Sequence, residues 1–599
     1  MDFTSVMKEL HSPEFNPGRS GKDLSHRKVL TAKVGELLPV LCEEVIPKDY
    51  FEIDVAALAR TFALQTAAFV RSKVCFDFFF VPMTAVWRNY DAFYYQRQDN
   101  YSSLRLGSAY EPNIKLLDLA EMILDGADDS DTSDYDSQSA RAKLCALLGY
   151  SDRSVAEWRQ MYSGSSGIAD KSLTCLPLMA YQRIYNLWYR NAWRDEPSET
   201  DLNDFSADNV TCDSYATSLV DIPGTNRRSL GGFVQTFGLC SMRFHQWPSD
   251  IFMGSLPNSQ FGNVSSIDNT FAGTTTKNFD SGTDFLRWKS GGSFSGSANV
   301  VVYTNSPSLN ENSLYSGSAD ESNRLYHTHQ NTLVFNSGEK LGSFDVLALR
   351  KAIATQKWKE YNMRAGWKAG KQAKAMFGVE DKLDRKHDIE YIDGFHFPVM
   401  IDEVTQTTQV SATSPLGELG GKAIGVGNGS KIKFSSGERH GYLMCIAYVL
   451  PEAEYDAVGI DKMLVRSEPT DHYMPAFENL GLEPVQKFEL NSKGNPAAFD
   501  LTLGYVPRYH EYKSRVDKVY GQFLPNGSLR SWVSQRLDLE SIANSGFIPT
   551  KYFYVSPAVF RNLFYALPDG SGLTDQFMLN INFDVKAVRA MSDLGLPML

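Results

Sequence analysis

Residues 577–586 read FMLNINFDVK, and their alternation decides the fold class. Phe577, Leu579, Ile581, Phe583 and Val585 take every second position, with Met578, Asn580, Asn582, Asp584 and Lys586 between them. Successive side chains of a strand point to opposite faces. The segment therefore predicts a β-strand with one face in a core and the other mostly in water. Working outward, VCFDFFFV at 74–81, YLMCIAYVL at 442–450 and FDLTLGYV at 499–506 are further aromatic and β-branched runs bounded by turn residues. Together they predict an all-β sandwich or barrel. They lie too far apart for hairpins alone, so long insertions must connect strands that pair in space.

Three helical signals interrupt this pattern. IKLLDLAEMIL at 114–124 is short and apolar. A second segment, 178–193, follows Pro177 and spaces Tyr181, Tyr185 and Trp188 along one helical face, which reads as core packing. The third runs over 344–376, with Leu347, Ala354, Trp358, Tyr361 and Ala365 on one side and Arg350, Lys357, Arg364, Lys368 and Lys371 as a basic stripe. The stretch 262–333 is rich in Gly, Ser, Thr, Asn and Asp, and is far longer than an ordinary connection. It reads as a surface elaboration or a mobile segment.

Composition narrows the function classes. The 599 residues are 43% hydrophobic and 22% charged, which excludes disorder, collagen-like repetition and coiled coil. The formal charge of −12 argues against coating nucleic acid by net charge alone. No apolar run reaches the roughly 20 residues that cross a bilayer, and the first residues lack the order of a signal peptide, so synthesis and folding in a cytoplasm are expected. Cysteines 42, 75, 145, 175, 212, 240 and 445 are widely spaced and never form C-x-x-C. Reduced thiols, mostly buried, are expected, with no disulfide framework and no zinc site.

Catalytic machinery is sparse. The glycines of GELGGKAIGVGNG at 417–429 fail both phosphate-loop spacings and read as a flexible β-connection. The aspartates of 125–136 lack the EF-hand pattern and read as a solvated acidic loop. His327 and His329 lack an apparent third metal ligand. Neither H-E-x-x-H nor G-x-S-x-G occurs, so no catalytic residue, metal ligand or cofactor is assigned. Two regions are candidates for nucleic acid. One is the N-terminal arm with Arg19, Lys22, Arg27, Lys28 and Lys33, a segment not expected to pack on its own; the other is the basic stripe of 344–376, with Trp358 and Trp367 as stacking surfaces.

Nine ordered blocks carry a resemblance. They are LPVLCEEVIPKDYFEI (38–53), FDFFFVPMTAVWRNYDAFY (76–94), LPLMAYQRIYNLWYRNAW (176–193), WPSDIFMGSLPNSQFG (247–262) and LRKAIATQKWKEYNMRAG (349–366). FGVEDKLDRK (377–386), EVTQTTQV with SPLGELGG (403–421), GYVPRYHEYKSRVDKVYGQF (504–523) and FDVKAVRAMSDLGLP (583–597) complete the series. In this order they resemble the major capsid protein of the microviruses, tailless phages with single-stranded DNA, in particular the gokushovirus-like branch.

The resemblance implies a mainly β fold, an eight-stranded antiparallel viral jelly roll in two facing sheets with long loop and helical insertions. It implies residues 1–33 as an internal arm and 34–599 as one jelly-roll domain, with insertions near 114–175, 194–232 and 262–333, the last an outward protrusion. The expected role is a T=1 icosahedral shell of sixty copies around circular single-stranded DNA, in the virion, after synthesis in the host cytoplasm. Implied partners are further copies of the chain, the genome, a small basic DNA-binding virion protein, a pilot or spike-type minor protein and a bacterial surface receptor, with no membrane insertion. A carbohydrate-active jelly-roll enzyme would instead need paired carboxylates in a cleft, and a lectin-like module would be a soluble monomer.

Overall fold

The computed structural model describes residues 18–591, leaving aside chiefly 96–112, 125–136, 164–171, 196–218, 222–227, 231–238, 263–285, 296–313, 316–323, 328–345, 379–388, 406–418, 494–499, 535–549 and 564–574. Ten strands build one antiparallel array. They are β1 (Ser20–Asp23), β2 (His26–Ala32), β3 (Leu38–Val45), β4 (Tyr50–Thr61), β5 (Ser72–Pro82), β6 (Glu390–Thr405), β7 (Leu419–Asn428), β8 (Ile432–Ser435), β9 (Gly441–Pro451) and β10 (Phe577–Arg589).

Pairing reduces ten strands to eight positions. β1 and β2 both lie along β10, and β7 and β8 both lie along β4, so each couple is one interrupted strand. With β10 paired to β4, these form one sheet. The second runs β3, β9, β5 and β6. Strand β6 serves both, because Glu390–Val399 pairs with β5 while Met400–Thr405 pairs with β7. Strands alternate between sheets in the order of an eight-stranded jelly roll, as expected. Rings cross the interior, with Phe80 of β5 lying 4.9 Å from Phe434 of β8.

The alternation in β10 has the predicted consequence. Phe577, Leu579, Ile581, Phe583, Val585 and Ala587 are buried, opposite Phe51, Ile53, Val55, Ala57 and Ala59 of β4. Strand β9 is buried on both faces, which explains its unbroken apolar run. Its outer cover is the helix Leu176–Ile184, which has Pro177 in its first turn and continues as a π-turn over Tyr185–Tyr189. The Tyr181 hydroxyl donates to the Leu37 carbonyl at 2.9 Å. The hydroxyls of Tyr189 and Tyr448 donate to Asp77 Oδ2 at 2.7 and 2.9 Å, pinning the π-turn to β5 and β9. Tyr181 and Tyr185 are thus core residues, while Trp188 stays partly exposed against Phe79.

Connectivity gathers the insertions. The three spans named from sequence all fall in the single connection between β5 and β6, residues 83–389. A second long connection, 452–576, separates β9 from β10. The chain divides into two compact units, residues 260–361 and the remainder. The smaller one contains a four-stranded antiparallel sheet in the order Ser293–Ser295, Leu286–Ser290, Arg324–His327, Leu314–Tyr315, regular structure that the polar composition of 262–333 did not indicate.

Three local expectations need correction. The glycine-rich 417–429 segment is chiefly strand β7 and not a flexible connection. A Cβ on Gly427 would lie 1.9 Å from Phe397 Cδ1, and one on Gly429 would lie 2.8 Å from Phe395 Cε1. The glycines make a furrow that receives rings from β6. The 344–376 helix is two helices, Val346–Ala365 and Ala369–Phe377, divided after Gly366, whose φ of +92° is left-handed. Ile353, Trp358 and Tyr361 of the first helix are about half exposed. Residues 20–32 of the arm do pack, as β1 and β2 along β10. Six cysteines are free thiols, with Cys42 half-buried and Cys75, Cys145, Cys175, Cys240 and Cys445 buried; Cys212 lies outside the described residues.

Candidate functional site

The most distinctive surface among the described residues belongs to 452–534, the first part of the connection between β9 and β10. Two short pairings frame it. Glu454–Asp456 runs parallel to Asp517–Val519, and Leu482–Gln486 runs antiparallel to Thr502–Pro507. A buried ion pair, Arg530 Nη1 to Asp456 Oδ1 at 2.7 Å, closes the base.

Large apolar side chains face outward here. Leu464 is 78% exposed, and Val465, Tyr473, Leu480, Tyr512 and Tyr520 are each roughly half exposed or more. Tyr473 packs against Tyr509 and Tyr512 with ring centres at 5.3 and 6.0 Å, and the Arg466 guanidinium lies 5.1 Å from the centre of the Tyr512 ring. Aromatic and arginine side chains held in this way are typical anchors of protein interfaces, and a soluble monomer gains nothing from exposing them.

Beneath the tyrosines lies a compact charged cluster. Tyr509 adopts left-handed backbone angles, φ 59° and ψ 41°, unusual for a bulky residue, and the helical turn His510–Lys513 follows it. His510 Nδ1 is 2.8 Å from Glu483 Oε1, and Nε2 is 3.1 Å from Glu489 Oε2. Glu489 is itself oriented, because its Oε1 accepts the Gln486 N–H at 3.0 Å. Lys462 contacts Glu483 Oε2 at 3.1 Å, and Arg466 Nη2 contacts Glu511 Oε1 at 3.3 Å. Burial alone would depress the imidazole, but its hydrogen bonds to Glu483 and Glu489 outweigh this and raise His510 to about 9. Burial opposes ionisation of Glu483 too, yet His510 and Lys462 hold its carboxyl down to about 2. Arg466 joins the cluster to the tyrosine surface.

The cations proposed from sequence do not converge. Arg19 is exposed and donates to the Lys48 carbonyl. Lys22 is half-buried in β1, and Lys33 is half-buried with its backbone N–H on Glu36. Arg27 and Lys28 are neighbours in β2 and so point to opposite faces: Arg27 is exposed and donates to Asn580 Oδ1 at 2.6 Å, whereas Lys28 is partly buried and its ammonium is correspondingly destabilised. Asp23, Glu52 and Asp584 share the exposed face with Arg27 and Lys586, so the field there is mixed. On the long helix Arg350, Lys357 and Arg364 are exposed, as is Lys371 in the next one. Trp367, Lys368, His329 and the acidic run 125–136 lie outside the described residues.

Comparison with known proteins shows what this architecture serves. The family model described as "Capsid protein (F protein)" matches residues 14–109 and 162–599. The chain belongs to this capsid protein family. Capsid protein VP1 of Bdellovibrio phage phiMH2K is 23% identical over 98% of this chain and 96% of its own length. Capsid protein VP1 of Chlamydia phage 1 is 24% identical over 99% and 98%, and that of Spiroplasma virus 4 is 22% identical over 87% and 84%. Relatives of the microvirus type thus align along most of the capsid chain, while the family model leaves out residues 110–161. The capsid protein is a structural component of the virion, and no helix among its described residues is long and apolar enough to cross a membrane.

Sequence reasoning missed the 452–534 surface and the His510 cluster. GYVPRYHEYKSRVDKVYGQF was a recognised block, but Glu483 and Glu489 come from outside it. Strand pairing, which local spacing does not disclose, brings them together.

Proposed function

We propose that the chain forms a T=1 icosahedral shell of sixty copies around a circular single-stranded DNA genome, and acts by assembly and not by turnover. The observation that carries this reading is the tyrosine surface of 452–534, an exposed set of anchors on a sandwich whose own core is already filled. We assign it to contacts between copies. The double change Tyr473→Ser and Tyr512→Ser is expected to leave a folded subunit while lowering particle yield at least tenfold, read by sedimentation. Wild-type yield from the folded variant would remove the surface from the contacts.

Genome contact by the 19–33 segment is part of this proposal and rests on the exposed Arg19 and Arg27. Changing both to glutamine is expected to lower the DNA content of purified particles without changing the shell. Unchanged content would reject the assignment. The acidic total is consistent with a separate small basic virion protein neutralising much of the genome, and with a pilot or spike-type minor protein completing the particle. Host-receptor contact is assigned to 262–333 by family analogy. Particles lacking 264–330 should retain their shell and lose adsorption to cells, whereas normal adsorption would place attachment elsewhere.

A further inference from the structure

We propose that Glu483, His510 and Glu511 form a binding site for one divalent transition-metal ion, with zinc as the best-matched probe. The inference is independent of the shell reading.

Three observations carry it. His510 Nδ1 and one carboxylate oxygen from each of Glu483 and Glu511 all lie within 4.8 Å of one another, close enough for small movements to bring them around a single ion. The Glu511 side chain is only 5% exposed, and its Oε2 is buried with no hydrogen-bond partner among the described residues, 4.0 Å from His510 Nδ1. A buried carboxylate oxygen left bare is costly, and a cation at this point would satisfy it. Third, the outer contacts have the form that metal-binding histidines use. The far nitrogen, Nε2, faces Glu489, whose other oxygen is fixed by the Gln486 N–H, so the ring is oriented with Nδ1 towards the two remaining carboxylates.

Each proposed carboxylate ligand is also tethered through its second oxygen. Lys462 holds Glu483 Oε2 and Arg466 holds Glu511 Oε1, leaving one oxygen on each directed at the histidine. One nitrogen and two oxygens suit zinc or a similar borderline ion better than calcium, which takes six to eight oxygens. On binding, the ion takes the place of the proton shared between Nδ1 and Glu483, and that proton leaves to solvent. The three ligands come from the strand Leu482–Gln486 and the turn His510–Lys513, so the ion would clip these elements together directly beneath the tyrosine surface.

The test uses the full chain, stripped with chelator and titrated with Zn²⁺ by calorimetry. Wild type is expected to take up one ion per chain with a dissociation constant in the micromolar range or tighter, and its thermal midpoint should rise with Zn²⁺ and fall back with EDTA. Glu511→Gln keeps the side-chain shape and is expected to weaken binding at least tenfold with an unchanged circular dichroism spectrum. His510→Gln should abolish it, while Glu478→Gln, changing an exposed carboxylate outside the three ligands, should leave it intact. Absence of saturable uptake by folded wild type would overturn the site. So would equal uptake by the folded Glu511→Gln variant, which would place the metal elsewhere.

Discussion

Alanine at Gly427 is expected to cost the subunit about 3 kcal/mol or more, at the upper end of ordinary overpacking. The added carbon would sit 1.9 Å from Phe397 Cδ1 and 2.4 Å from Cγ, deep inside van der Waals contact. These are atoms at the root of the ring, where a rotamer change gives least relief, and Phe397 is buried beside Phe76. Either β7 leaves β4 and β6 or the ring leaves the core. The measurement is the urea midpoint of the full chain, which should fall markedly. Val426→Thr is the control, because Val426 is 72% exposed on the opposite face and its replacement should move the midpoint little. Combining Gly427→Ala with Phe397→Ala should recover part of the loss, since the methyl would enter the space the ring vacates. A Gly427→Ala chain as stable as wild type would show that β7 is not seated against Phe397 as described.

Methionine at Lys143 is expected to destabilise the fold by about 3–5 kcal/mol, the usual cost of removing one partner from a buried ion pair. Lys143 Nζ lies 2.7 Å from Glu36 Oε2 and 3.1 Å from Asp575 Oδ2. Glu36 is 1% exposed and its Oε1 has no hydrogen-bond partner among the described residues, so losing the ammonium leaves its charge, among those residues, with the Lys33 N–H at 2.9 Å. Burial works against the charged lysine, but the two carboxylates prevail and raise its pKa above the ordinary value. The contact ties the helix Gln138–Leu147, in the connection between β5 and β6, to the residues just before β3 and β10. Adding Glu36→Gln to Lys143→Met should restore stability relative to the single variant, because a neutral amide costs less to bury than an unpaired carboxylate. A single variant with wild-type stability would mean that the triad contributes nothing to holding this helix on the sandwich.

Legibility followed how local the signal was. Strand β10 could be read because one of its faces is wet, and β5 and β9 because both their faces are largely covered, so the first alternates and the others are nearly continuous apolar runs. Strand β7 defeated the same logic. Its glycines have no side chains to alternate, and the reason for Gly425 and Gly427 lies in Phe397 on another strand. β2 was obscured because its inward positions include His26 and Lys28 beside Leu30 and Ala32. The helical period of 344–376 was legible, but its division at Gly366 was not, because a single glycine with a left-handed backbone leaves the side-chain period on either side unchanged. That three separate insertions belong to one connection follows only from the pairing of β5 with β6. Family membership was legible because nine blocks recur in order. The histidine cluster was not, because the chain between Glu489 and His510 must return along Thr502–Pro507 before its groups meet.

We propose that this jelly-roll chain builds a closed shell, with the tyrosine surface of 452–534 serving as a contact between copies. Cryo-electron microscopy of purified particles at side-chain resolution decides the matter. An icosahedral shell with one copy per asymmetric unit, sixty in all, is expected, with density from a neighbouring copy covering Tyr473 and Tyr512. A shell in which both tyrosines remain bare to solvent, or a chain that is absent from the shell, would overturn this assignment.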